Sequence, residues 1–169
     1  VVVNTPEVEG TKTITLANGA VVTWIQDNEG EKLMPRELFS DASDSLYESL
    51  DMPAGLPASV STFLVKTDGK YILFDAGLGA WGGQLMKRLS ALNVDPDSIG
   101  LVYLTHFHAD HIAGLVQNGD TGKMEQVFKN AAVYAGKVEY DAWMNEIPRN
   151  DLQKNIMALY KDSLHLFAF

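Results

Sequence analysis

The stretch Leu101–Leu115, LVYLTHFHADHIAGL, decides the fold. Leu101-Val102-Tyr103-Leu104 is an apolar run with the length and aromatic/β-branched content of a short buried strand. Thr105 ends it. His106, Phe107, His108, Ala109, Asp110 and His111 follow at once, and Ile112-Ala113-Gly114-Leu115 has the character of a helix start. Side chains two apart in extended backbone point the same way, so His106 and His108 can converge on one ion. Asp110 and His111 fall where the chain turns and can address a second point a few ångströms away. Neutral imidazole and carboxylate suit Zn²⁺, and with less selectivity Fe or Mn. Three His and one Asp within six residues after a buried strand point to metal rather than to a turn that only satisfies backbone groups.

THFHADH resembles the HxHxDH signature of the metallo-β-lactamase superfamily. Upstream, Tyr71-Ile72-Leu73-Phe74-Asp75-Ala76-Gly77 is similar to that family's strand ending in an Asp-x-Gly turn. The resemblance spans Ser59 to Leu115 well and the flanks more loosely. It implies an α/β fold, the αββα sandwich of the family, present here as its N-terminal half or a truncated form. It implies that His106 and His108 hold a first metal, Asp110 and His111 a second, and that Asp75 lies beside the site without binding metal. His at position 111 resembles the lactonase, glyoxalase II and subclass B3 branches. Two Zn²⁺ per intact site are implied, with Mn²⁺ or Fe²⁺ as substitutes, and Asp110 is expected to orient the nucleophile as well as bind metal.

The second half of the family's fold supplies a further His, a bridging Asp and a last His. No counterpart follows His111: His165 stands alone in the apolar segment Leu164–Phe169, and a lone His there is expected to be structural. The chain is therefore expected to be a fragment of a longer hydrolase, or a short chain that pairs with another copy. Either case leaves an apolar sheet face open and implies association as a homo-oligomer or with the missing half.

Size and composition bound the rest. One domain over residues 1–169 is expected, with enough chain for a real core. No eighteen-residue apolar run suggests a membrane span. A net charge of −9 argues against a nucleic-acid or anionic-membrane surface. With no cysteine, a Cys nucleophile, Cys-ligated zinc and disulfides are all out, and reducing and oxidising compartments both fit. The chain starts at Val1 instead of Met, so removal of a preceding segment is expected.

Outward from the motif, Val1–Glu9 reads as a loose lead-in and residues 11–26 as a hairpin around Asn18-Gly19. Asp27–Pro57 is a long excursion, either functional or a surface loop packing its own apolar residues. In the first case Leu38, Phe39, Leu46, Tyr47 and Leu50 become candidate pocket walls. Within it Pro35–Leu38 and Ser45–Leu50 read as short helices. Val60–Lys66 and Lys70–Asp75 are paired strands, the second apolar enough to be covered on both faces. Leu85, Met86, Leu89 and Leu92 mark the core side of a helix over Gln84–Leu92. A short strand is expected at Ala131–Ala135, and helices at Lys137–Asn145 and Asp151–Tyr160.

The leading functional expectation is a dinuclear metal-dependent hydrolase acting on a small-molecule ester or lactone, acyl-homoserine lactones included. β-Lactams, thioesters and phosphotriesters stay open. The competing expectation is a non-catalytic domain that binds metal weakly or associates with a partner.

Overall fold

A computed structural model describes residues 8–168, so most of the expected lead-in, residues 1–7, lies outside the described residues. A seven-stranded mixed sheet organises the chain. Its strands are β1 (Thr11–Thr15), β2 (Val21–Gln26), β5 (Ser61–Thr67), β6 (Lys70–Phe74), β7 (Ile99–Leu104), β10 (Ala132–Gly136) and β11 (Leu164–Phe167), in that spatial order. β1, β2, β5 and β6 form an antiparallel meander. β6, β7, β10 and β11 run parallel. The β5–β6 turn is Asp68-Gly69, with φ +48° and +73°, the left-handed pair that a two-residue hairpin needs.

Parallel strands need crossovers, and these carry the helices. α2 (Leu85–Ala91) links β6 to β7. Between β7 and β10 come the single turn α3 (Ala109–Ile112), a 3-10 turn at Ala113–Leu115 and a small hairpin, β8 (Val116–Asn118) with β9 (Met124–Gln126). α4 (Lys137–Asn145) and α5 (Asp151–Leu159) link β10 to β11. The excursion folds as an arm closed at its base by β3 (Lys32–Met34) against β4 (Leu56–Ala58), with a 3-10 turn at Arg36–Phe39 and α1 (Asp44–Ser49) beyond. At its tip the Arg36 guanidinium sits 4.5 Å over the buried Tyr47 ring and pairs with Asp44. Leu38, Phe39, Leu46 and Leu50 are exposed there.

Register divides the sheet into two unlike faces. Thr23, Leu64, Leu73, Val102 and Val133 are cross-strand neighbours, all buried, and join Leu85, Leu89, Phe107, Ile112, Leu115, Phe128, Ile156 and Tyr160 in the core. One residue along, the row Trp24, Phe63, Phe74, Tyr103, Tyr134, His165 crosses six strands on the other face. Phe63 is 43% and Phe74 37% exposed. Phe74, Tyr103, Tyr134 and His165 stack in succession at 5.5, 4.9 and 4.9 Å between ring centroids. An apolar face of this kind asks to be covered, which is what half of a two-sheet sandwich presents.

Two expectations need correction. The segment after the motif is no helix start at Ile112: the helical turn begins at Ala109, and the chain leaves it through a 3-10 turn into β8. Close approach to the neighbouring loop explains the break, because a Cβ on Gly114 would lie 1.8 Å from the Ala76 carbonyl oxygen. Met86 is not core but 43% exposed, since the seven-residue α2 buries only Leu85, Arg88 and Leu89. Arg88 is buried because its guanidinium donates to the Gln26 and Glu9 carbonyls.

Candidate metal centre

The carboxyl ends of β6 and β7 lie side by side, the usual place for a site in an open parallel sheet. β6 delivers Asp75, and β7 delivers Thr105 and the His-rich turn. Asp75 is a non-glycine residue at φ +60°, a left-handed conformation held by its surroundings. Its carboxylate is buried and accepts three hydrogen bonds. Oδ1 accepts from the Thr105 N–H (2.8 Å), and Oδ2 from the Thr105 hydroxyl (2.7 Å) and from His111 Nδ1 (2.8 Å).

This arrangement fixes two imidazoles. His111 gives its Nδ1 proton to Asp75, which leaves Nε2 to face outward. Thr105 Oγ1 spends its one proton on Asp75, so at its 2.9 Å contact with His106 Nδ1 the ring must be the donor. His106 therefore also keeps a lone pair on Nε2. A carboxylate or hydroxyl holding the far nitrogen of a ligand His is the usual support of a metal site. The ring centroids of His106 and His111 are 4.0 Å apart, those of His106 and His108 4.8 Å, and His111 Nε2 lies 3.7 Å from Asp110 Oδ2.

Electrostatics follow from the same contacts. Burial pushes the His106 pKa down, and the neighbouring imidazoles of His111 and His108 push it further. The hydrogen bond to Asp75 raises that of His111 above the ordinary imidazole value, against the opposing effect of burial.

The donors fit a divalent cation in type, and the His106 and His111 rings are turned to offer Nε2. They do not complete a coordination sphere: among the described residues no three His, Asp or Glu side chains surround a common point. His165 is far from this chemistry in character, stacked on Tyr134 in the open aromatic row.

Several supporting residues carried no signal in the sequence. Glu139 Oε1 accepts from the Phe107 N–H at 2.8 Å and from Trp143 Nε1 at 2.7 Å. Gln153 Nε2 donates to the Phe107 carbonyl at 3.0 Å. The fully buried Asp27 carboxylate accepts from the Leu78 N–H (2.6 Å) and the Leu85 N–H (2.8 Å), tying β2 to the loop behind Asp75. That loop also meets the motif directly, through Ala76 N–H to the His111 carbonyl (2.7 Å) and Gly114 N–H to the Gly77 carbonyl (3.1 Å).

The mixed sheet thus gathers imidazoles and a carboxylate at the ends of its parallel strands. The chain belongs to the metallo-beta-lactamase superfamily, whose family model matches residues 34–125. By sequence it is 40% identical over 65 residues to ribonuclease Z of Nanoarchaeum equitans, 38% of this chain and 19% of that protein. It is 34% identical over 58 residues to the exodeoxyribonuclease WalJ of Streptococcus pneumoniae serotype 2, 34% of this chain and 21% of that protein. The matched segments thus span about a fifth of those relatives. Among solved structures, the hydrolase AbOPH superposes with a TM-score of 0.75 at 22% identity, over 96% of this chain and 62% of that one. AidC, a dizinc quorum-quenching lactonase in complex with a product, gives 0.78 at 23%, over 94% and 61%. These likenesses establish the fold, of which this chain spans about three-fifths. The relatives found by sequence are nucleases by name, so the acidic charge alone does not carry the expectation against nucleic acid.

Proposed function

We propose that this chain carries the first half of a dinuclear metal-dependent hydrolase site acting on an ester or lactone. His106 and His108 would hold one ion, and Asp110 and His111 the other. The observation that carries this reading is the Asp75–Thr105 pair, which engages Nδ1 of both His111 and His106 and so leaves the lone pair of each neutral ring on Nε2. When bound, divalent ions supply hydroxide at neutral pH and polarise a substrate carbonyl. The chain's own residues bind and orient: Asp75 holds the Nδ1 proton of His111, Thr105 takes that of His106, and Asp110 places a carboxylate beside His111 Nε2. The exposed Leu38, Phe39, Leu46 and Leu50 of the excursion would supply apolar contact to an acyl chain.

The sequence matches to ribonuclease Z and WalJ support a second reading, phosphodiester hydrolysis. The same ligands suit it, since a phosphoryl centre also needs an activated water and a cation on the developing charge.

Chelator competition with Zn²⁺ and Mn²⁺ on the chain and on His108→Ala tests the site. Micromolar or tighter binding lost in the variant is expected. Equal, weak binding by both would favour a non-catalytic domain. Turnover of an N-acyl-homoserine lactone, an aryl ester, a β-lactam and a bis-aryl phosphodiester by the zinc-loaded protein then separates the substrates. Hydrolysis of the phosphodiester alone would overturn the lactone reading.

A further inference from the structure

Glu139 lies 28 residues beyond His111, in α4, and nothing in its own segment marks it as part of the site. Its position is nonetheless central. Phe107 separates His106 from His108, and its ring is wholly buried, edge-on to Tyr140 at 6.2 Å. Its backbone is held on both sides: Glu139 takes the N–H and Gln153 serves the carbonyl. The same Glu139 oxygen accepts from Trp143 one helical turn on, and the Trp143 ring meets His108 edge-on at 5.6 Å between centroids and 84°.

We infer that Glu139 is a positioning residue that sets the His106–His108 pair through Phe107 and Trp143. The inference rests on the metal-site reading above. Physically, a carboxylate accepting two N–H bonds on one oxygen is a stiff link, because charge-assisted bonds are shorter and roughly twice as strong as neutral ones. The link joins the strand end to α4 where the two His side chains leave the backbone. His108 is exposed and, unlike His106 and His111, has no ring-nitrogen bond to Thr105 or Asp75, so its ring contacts with Trp143 (5.6 Å) and His106 (4.8 Å between centroids) are its lateral support. A carboxylate bonded directly to a ligand imidazole is typically worth about 10- to 100-fold in metal affinity. Glu139 acts one step further out, through the Phe107 backbone and Trp143, so its loss is expected to cost about tenfold or less.

The test compares Glu139→Ala with Glu139→Gln, whose side-chain oxygen can still accept both bonds. In the metal-free protein, amide exchange at Phe107 should quicken at least about tenfold in the alanine variant and little in the glutamine variant. Zinc affinity by chelator competition should fall about three- to tenfold in the first and less than about twofold in the second. The visible absorption of the Co²⁺-loaded protein should change in the alanine variant and be restored by glutamine. Should Glu139→Ala not fold, Trp143→Phe serves, expected to alter the Co²⁺ spectrum while the Phe107 amide stays protected. Unchanged Phe107 exchange in Glu139→Ala, or faster exchange with unchanged zinc affinity and spectrum, overturns the inference. Failure of the metal reading looks different: wild type and variants alike bind no ion, and the inference falls with it.

Discussion

Asp75→Asn replaces one oxygen by NH₂ and keeps the shape. In the folded protein, three donors converge on the Asp75 carboxylate: the Thr105 N–H, the Thr105 hydroxyl and His111 Nδ1. An amide offers a single accepting oxygen. If that oxygen faces the Thr105 N–H, the NH₂ meets His111 Nδ1, and the imidazole can answer only by moving its proton to Nε2, the nitrogen a cation needs. If the amide is flipped, NH₂ meets the Thr105 N–H, two donors face to face. Each orientation forfeits at least one charge-assisted bond, worth about 1.5–3 kcal/mol in a buried setting. The Asp75 side chain is only 7% exposed, so water offers little relief. We expect a loss of about 2–4 kcal/mol in metal-free stability and about 10- to 100-fold in zinc affinity. Urea denaturation, chelator competition and ¹⁵N NMR of the imidazole nitrogens read these separately. An unchanged urea midpoint, zinc affinity within about twofold and a His111 proton still on Nδ1 would refute the reasoning.

The His111–Asp75 bond also sets a pH dependence. Because His111 has a raised folded pKa, its stabilisation of the metal-free protein is fully present below the unfolded value of about 6.5 and is lost as pH rises through the folded value. The urea-midpoint difference between wild type and His111→Gln should therefore shrink from pH 6 to pH 8.5, and a difference that grows would contradict it. Gly114→Ala should destabilise by at least about 2 kcal/mol, because its Cβ would press on the Ala76 carbonyl; a thermal midpoint equal to wild type would count against the described approach. Asp27→Ala should cost about 3 kcal/mol by orphaning the Leu78 and Leu85 N–H groups, with Asp27→Asn intermediate, both read by urea denaturation. The open aromatic row should make the 169-residue chain bind a hydrophobic dye, and Phe63→Ser with Phe74→Ser should reduce the signal; strong binding retained by the double variant would place the exposed surface elsewhere.

How far the sequence could be read depended on the range of the interactions. β6 and β7 are continuous apolar runs with strand neighbours on both sides and the core beneath, and such runs announce themselves locally. The covering of β6 on both faces that its run implies is not found among the described residues, since Phe74 on the outer face is 37% exposed. α4 begins and ends where its residues suggested, at Lys137 and Asn145. The His-rich turn was legible because its donors are consecutive. The supports were not: Glu139 meets Phe107 across 32 residues and Gln153 across 46. A glutamate and a tryptophan four apart on a surface helix look like any i,i+4 pair until tertiary structure brings a strand end to them. Met86 was misread because apolar spacing predicts a stripe, whereas a seven-residue helix has room for little more than two inward turns. The turn after His111 was misread because Gly114 reads as a weak helix residue, while its reason for being glycine lies in the Ala76 loop.

The supports described for the ligand-bearing turn are all internal to this stretch of chain. Asp75 and Thr105 come from adjacent strand ends, Glu139, Trp143 and Gln153 from the following crossover, and Asp27 from the position just after β2. The sheet and its helices thus hold His106 and His111 by their Nδ1 atoms, whereas among the described residues no three His, Asp or Glu side chains surround a common point. Pre-organisation and completion are separable properties of such a site. Ligands added from another segment or chain would meet imidazoles already turned outward and would lose little entropy in ordering them. The open aromatic row lies on this same sheet, with Tyr103 two residues before Thr105, so the exposed face runs up to the strand end from which the His-rich turn departs.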